Sequence, residues 1–229
     1  MTDEGARGCR RRPRATCIRG GRRVSSRVPL SRFSRAARPM PALPEPLRTE
    51  RLFVRLATEA DAPAVVRYYT ENRAFLAPWE PTRPEAFYTE PFWREHARRA
   101  RIEAAEGRSL RLLLLPRWAP GEVIGTANFT EITRGVLQAC HLGYGLAEHA
   151  EGEGYMREAL TAAIGYVFGP MNLHRIMANH LPHNRRSGRL LRALGFVVEG
   201  YARDYLRIAG RWEDHVLTSL TNPDWKEEA

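Results

Sequence analysis

The hydrophobic pattern changes period twice between Ala139 and Ser187. Cys140 to Leu146 alternate with period two, with Leu142, Tyr144 and Leu146 on one face and Gly143 and Gly145 on the other, which predicts a strand. Met156, Ala159, Leu160, Ala163, Ile164 and Val167 then recur at helical spacing and predict an amphipathic helix with one buried face. Leu173 to Ala178 reads as a second strand. Strand, helix and strand in this length make a parallel crossover, which leaves the helix N-terminus at the carboxyl end of the first strand. The turn before that helix, Glu151 to Gly154, carries Gly152 and Gly154. Glycines there let backbone amides close on a ligand, and the helix dipole adds partial positive charge, so a phosphate or pyrophosphate is the natural guest. By itself a glycine-x-glycine is also an ordinary tight turn.

Around this centre the pattern predicts a strand at Leu52 to Leu56. Thr58 and Asp61 form a capping box ahead of a helix that buries Ala62, Val65, Val66 and Tyr69. Glu71 to Pro84 holds three prolines and reads as a loop bearing Phe75, Trp79 and Glu80, an aromatic pair beside a carboxylate that suits a cationic amine. A charged helix follows from about Pro91 to Glu106, with Phe92, Trp93, His96 and Ala100 inward. Leu110 to Leu115 and Val123 to Thr130 read as antiparallel strands about a turn at Ala119 to Gly121. A short helix from Asn184 stops at Gly195. Val197 to Tyr201, Tyr205 to Ile208 and Val216 to Leu220 close the chain as strands, with a turn at Ala209 and Gly210.

Charge alters the picture only at one end. The 229 residues carry a formal +10, but residues 1–40 hold twelve arginines against Asp3 and Glu4, and the rest balances 24 basic with 24 acidic groups. That first stretch lacks either periodicity, so it is expected to be a disordered basic tail or an upstream extension, with an internal start at Met40 favoured. Direct nucleic-acid binding is not expected unless the tail is present. Lys226 is the one lysine among thirty-five arginines, a bias that argues for GC-rich coding more than for phosphate contacts. Three cysteines, two of them in the tail, are too few for a disulfide framework. No apolar run reaches membrane-spanning length, and a soluble, cytoplasmic protein is expected.

Several chemistries fail on residue type. A dinucleotide fold needs a third glycine where Arg157 stands, and an acid about twenty residues on, where none occurs between Glu158 and Glu199. A triphosphate loop would need Gly-Lys-Ser/Thr after the turn, and none is there. Cys140 and His141 are adjacent on a strand and point to opposite faces, so they cannot act as a thiol pair, and Cys140 reads as core. His180 and His183 have metal spacing but no third ligand near them, and no metal is expected.

From about Arg48 to Trp225 the chain resembles the GCN5-related N-acetyltransferases (GNAT), and among them the RimJ-type alanine N-acetyltransferases. The segments that carry the likeness are ENRAFLAPWEP, ACHLGYGL, EALTAAI, LHRIMANHLPHNRRSGRLL, ALGFVVEGYARDYL and DHVLTSLTNPDW. The resemblance implies an α+β fold. It would be a mixed, mostly antiparallel sheet flanked by about four helices and splayed between the strands at Cys140 to Leu146 and Leu173 to Ala178, with acetyl-CoA in the splay. The family's pyrophosphate loop falls on His149 to Gly154. Gly152, Glu153, Gly154 and Tyr155 then belong to the cofactor site, although His149 departs from the usual Gln or Arg, and Glu151 and Glu153 must face solvent. Leu142, Tyr144 and Leu146 lie on the strand whose backbone pairs with pantetheine.

Asn184 matches the residue that bonds the pantetheine arm. Ser187 lies where a general acid could protonate the departing thiolate. Each has an alternative as a helix cap. An α-amine of pKa about 7.7 to 8.0 is partly neutral at cytoplasmic pH, so a carboxylate acting through water suffices as base. Glu80 leads over Asp204 and Asp214 because its loop resembles a substrate-facing one.

The implied activity is acetyl transfer from acetyl-CoA to the N-terminal amine of a small-subunit ribosomal protein, the fifth in RimJ-type enzymes, with a possible contact to the ribosome. Two alternatives remain: the same fold acting on a small amine, and a catalytically weak ribosome- or nucleic-acid-binding protein.

Overall fold

A computed structural model describes residues 46–227; the basic segment 1–40 and the start at Met40 lie outside the described residues. Eight strands form one sheet in the order β1-β2-β3-β4-β5-β6-β8-β7. They are β1 (Leu47–Arg48), β2 (Leu52–Leu56), β3 (Leu110–Pro116), β4 (Gly125–Thr133), β5 (Ala139–Leu146), β6 (Arg175–His180), β7 (Val197–Ile208) and β8 (Arg211–Thr221). Every pairing is antiparallel except β5 with β6. That parallel pair runs for only three positions, from Ala139 opposite Arg175 to His141 opposite Met177. Beyond it β6 continues against β8 to His180 while β5 continues against β4 to Leu146, so the sheet opens at this seam.

Among the described residues there are five α-helices, α1 (Ala62–Glu71), α2 (Arg73–Leu76), α3 (Glu90–Ala105), α4 (Tyr155–Phe168) and α5 (Arg185–Ala193). The additional one is α2, in the stretch expected to be loop. Its prolines, Pro78, Pro81 and Pro84, all follow Leu76, so nothing prevents Arg73 to Leu76 from closing one turn before they end it. Ahead of α1 the Thr58–Asp61 capping box forms, and Arg55 grips the Asp61 carboxylate with two hydrogen bonds of 2.7 Å. The inward face of α3 is Trp93, Ala97, Ala100 and Ala104; Phe92, expected inward, is 36 % exposed. Trp93 stacks on Tyr69 and its indole donates to the Phe87 carbonyl at 2.7 Å, which seats α3 on α1.

Two strand boundaries move. Val123 and Ile124 precede β4, and Leu173 precedes β6 because its amide still donates to the Val167 carbonyl at the end of α4. At the C-terminal end two expected strands are one: β7 runs through Ala202 to Leu206 with a bulge, and Asp204 sits there at φ 47°. The β7–β8 turn places Ala209 and Gly210 at φ 47° and 83°, the geometry of a tight hairpin. The core lies on both faces of the central strands, with Leu52, Leu112, Leu114 and Phe129 joined by Leu160, Leu173, Ile176 and Leu191. Cys140 is fully buried there, and burial pushes its thiol up to about 12. No helix among the described residues is long and apolar enough to cross a membrane.

Candidate active site

Where β5 leaves β6, the walls of the opening are β5 itself, the first turn of α4, the start of α5 and the α2 segment. They enclose a cavity of about 380 Å³ whose lining includes Tyr144, Leu146, Gly152, Gly154, Tyr155, Asn184 and Ser187. Those seven residues, separated in sequence, are brought to one place by the crossover.

The glycine turn has the expected form. Gly152 and Gly154 sit at φ 83° and 80°, in the left-handed region, and Gly154 is the N-cap of α4. Glu158 donates the first helical bond to the Gly154 carbonyl, which leaves the amides of Tyr155, Met156 and Arg157 ahead of it without an intrahelical partner. Of the two carboxylates of the turn, Glu153 is exposed as expected, but Glu151, expected to face solvent, is half-buried and lines the cavity, where Arg186 of α5 pairs with it and offsets its charge. His149, the departure from the family pattern, lies outside the lining and faces Glu122 at 3.4 Å.

Arg51 secures this turn from behind, a role that sequence reasoning missed. Its guanidinium donates to the Glu153 carbonyl at 2.9 Å and to the Glu158 carboxylate at 2.7 Å, and lies 4.4 Å from the centre of the Tyr155 ring. Burial raises the Glu158 pKa, but hydrogen bonds from Thr49, the Arg51 amide and the Arg51 side chain outweigh it and hold the carboxyl below its ordinary value. These partners are more than a hundred residues apart, so no local pattern reports them. The cavity also exposes Arg157, Arg186 and Arg189, which a discount on arginine numbers had set aside.

Of the two residues at the start of α5, one serves as its cap. The Asn184 Oδ1 accepts the Ser187 amide at 3.1 Å and caps α5. Ser187 does not cap; its hydroxyl lies 2.7 Å from the Tyr144 hydroxyl. Burial pushes Tyr144 up to about 12, with the Ser187 hydrogen bond opposing, so the phenol keeps its proton at neutral pH. Leu142 is placed differently: its side chain is 5 % exposed, in the core, and only its backbone faces the open seam.

Among the carboxylates, Glu80 is absent from the cavity lining and lies behind Gly145, where an added Cβ would stand 3.8 Å from its Oε1. Burial raises its pKa; Arg83, with Nη2 at 3.5 Å, opposes without reversing the direction. Its backbone carbonyl accepts the Ala209 amide at 3.0 Å, tying the loop to the hairpin turn. Asp214 instead accepts the Tyr201 hydroxyl and the Asp204 amide, which makes both aspartates part of the β7–β8 bulge. Phe75 and Trp79 line the cavity but face groups of this chain, Arg186 at 5.3 Å and the His183 ring at 5.5 Å. Among the described residues no cluster of three or more metal-ligating side chains occurs.

A splayed sheet with a glycine-turned helix at the opening is the architecture of one enzyme class. The acetyltransferase (GNAT) domain family matches residues 51–197, and the chain belongs to that family; it is an N-acetyltransferase. The ribosomal protein uS5-alanine N-acetyltransferase of Escherichia coli is 48 % identical over 179 residues, which span 78 % of this chain and 92 % of that one. The probable N-acetyltransferase YjcK of Bacillus subtilis is 33 % identical over 180 residues, 78 % of this chain and 98 % of its own. Among solved structures, the ribosomal-protein-S5-alanine acetyltransferase of Vibrio fischeri superposes with a TM-score of 0.76 at 40 % identity, covering 79 % of this chain and 98 % of that one. The RimJ of Mycobacterium smegmatis, in complex with CoA-disulfide, gives 0.71 at 27 % identity, covering 81 % and 93 %. Family members use acetyl-CoA.

Proposed function

We propose that this chain acetylates the N-terminal α-amine of a small-subunit ribosomal protein, uS5, with alanine as its first residue. The observation that carries the reading is the 48 % identity to the uS5-alanine enzyme across 92 % of that relative's length. Spermidine acetylation, the small-amine alternative, is represented by a relative that is 32 % identical over only 96 residues. A ribosomal-protein substrate fits a cytoplasmic enzyme, whether that protein is met free or on the ribosome.

The residues present fit acetyl-CoA. The free amides at the start of α4 and the side chains of Arg157, Arg186 and Arg189 suit its phosphates, and the unpaired edge of β5 suits an amide-bearing arm. When bound, acetyl-CoA supplies the thioester whose acetyl group passes to the amine. Glu80, raised in pKa by burial, is suited to take the proton that the attacking amine releases. Ser187 holds a proton at Oγ beside the seam and can deliver it to the departing sulfur, while the Tyr144 hydroxyl at 2.7 Å replaces or steadies it.

The reading is tested with purified protein and a peptide panel. Peptides beginning with Ala, Ser or Thr, and above all the uS5 N-terminus, are expected to be acetylated at the α-amine. Faster turnover of lysine side chains or of free polyamines would overturn the protein-N-terminus assignment and leave the acetyltransferase standing.

A further inference from the structure

The start of α5 is held to both lips of the open seam by two adjacent residues. Ser187 reaches β5 through the 2.7 Å contact of its hydroxyl with that of Tyr144. Gly188 rests on β6, against the ring of its last residue, His180. Tyr144 and His180 lie equally far beyond the last pair of the β5–β6 ladder, His141 with Met177. The strands have parted by then, so these two contacts fix where α5 stands between them.

Glycine inside a helix is less stable than alanine, and Gly188 is not one of the glycines at positive φ, so the backbone does not require it. The ring does. A Cβ built on Gly188 would stand 3.0 Å from His180 Cε1 and 3.2 Å from Nε2, closer than side chains ordinarily pack. The ring is itself fixed. Its Nδ1 lies 2.9 Å from the Leu181 carbonyl oxygen, which can only accept, so Nδ1 carries the proton and donates it there. The backbone beneath is paired with Val216 of β8. A groove lined by Arg185, Arg189 and Val216 also borders the ring, but a ring that turned into it would give up the bond to Leu181.

We propose that His180 is a positioning residue that acts through Gly188: its ring sets how close α5 comes to the end of β6, and so holds the Ser187 hydroxyl beside Tyr144 at the cavity wall. Ser187 is the neighbour of Gly188 on the same helix, so a shift of one is carried to the other. A displaced acid costs rate, because it must meet the departing sulfur at hydrogen-bond distance. In the transfer the proton passes from Ser187 Oγ to that sulfur, and His180 neither gains nor loses one.

The proposal rests on Ser187 as the acid, so the test separates the two. Gly188→Ala, Ser187→Ala, and Gly188→Ala combined with either His180→Ala or Ser187→Ala are compared with the wild type by melting curve and by kcat and KM per folded molecule. Gly188→Ala is expected to melt close to the wild type, since a better helix former offsets the crowding, and to lower kcat about tenfold with the KM for acetyl-CoA unchanged. Adding His180→Ala makes room for the new methyl and should return kcat to within about threefold of wild type. On top of Ser187→Ala, Gly188→Ala should cost nothing further. Wild-type kcat in Gly188→Ala, a loss confined to Tm, a loss that His180→Ala does not relieve, or one that persists in full beside Ser187→Ala would each overturn the role of His180, with a slowed Ser187→Ala leaving the acid in place. Wild-type turnover in Ser187→Ala would overturn the acid and the positioning role together.

Discussion

The Tyr144 and Ser187 hydroxyls, 2.7 Å apart, join β5 to α5 across the seam where the sheet opens. The contact ties the two elements together beside the cavity. The cap of α5 is supplied by Asn184, and the Tyr144 phenol, pushed up to about 12, keeps its proton through the neutral range. A serine that would otherwise be a weak acid is thereby coupled to a second proton donor at the cavity wall.

Ser187→Ala is accordingly expected to lower kcat by about a hundredfold, the lower range for loss of a positioned acid, while leaving acetyl-CoA affinity nearly intact. Tyr144→Phe removes one neutral hydrogen bond, worth about 1 kcal/mol, and should cost about fivefold in kcat. Steady-state kinetics with a melting curve for each variant decide the matter. A Ser187→Ala protein with full turnover and a lowered Tm would return the serine to a purely structural role.

Asn184→Ala should behave in the opposite way. Its Oδ1 accepts the Ser187 amide at 3.1 Å, so the substitution is expected to cost about 0.5 to 2 kcal/mol of stability, the usual loss of a helix cap. Denaturant titration measures it directly. The loss in kcat per folded molecule should stay below that of Ser187→Ala.

The crossover was legible because its signals are local. Period-two alternation in β5, helical spacing in α4 and two glycines between them need only neighbouring residues, and the structure returns β5 and α4 within a residue of those bounds. The one-turn helix α2 was hidden because the prolines that follow it dominate the reading of their neighbourhood. The break expected in β7 reflects a true irregularity, the bulge at Asp204, which bends the strand without ending it. Leu142 and Glu153, assigned to the cofactor through their backbones, turn their side chains to the core and to solvent, whereas Glu151, expected to face solvent, lines the cavity beside Arg186 of α5, a partner that no local pattern reports. Arg51 left no trace in the sequence at all, because its partners in the turn and at the start of α4 lie more than a hundred residues along the chain.

Gly154→Val should weaken acetyl-CoA binding, and the backbone now adds a cost of its own. At φ 80° a side chain is strained wherever it points, by roughly 1 to 2 kcal/mol for an ordinary residue, and more for a branched one. An added Cβ would meet Arg51 Nη2 at 3.6 Å, so the turn would also press on the arginine that secures it. Calorimetry with CoA and a melting curve are expected to show both losses. Unchanged CoA affinity would move the phosphate site away from this turn.

The tie between Glu158 and Arg51 sets the last expectation, on pH. The folded-state pKa of Glu158 lies below its ordinary value, as does that of Asp61 beside Arg55, with burial opposing in both cases and hydrogen bonds prevailing. A group depressed on folding contributes stability that is fully present above its unfolded pKa, about 4.3 for Glu, and that is lost as pH falls through the folded value. Glu158→Gln should therefore melt below the wild type at pH 7, and the gap should close as pH falls from about 5 toward 3. The same variant should bind CoA less tightly at pH 7, because Arg51 then holds the Glu153 carbonyl and the Tyr155 ring without its carboxylate anchor. A difference in Tm that stayed constant from pH 7 to pH 3 would show that the charge of Glu158 is not what fixes the turn.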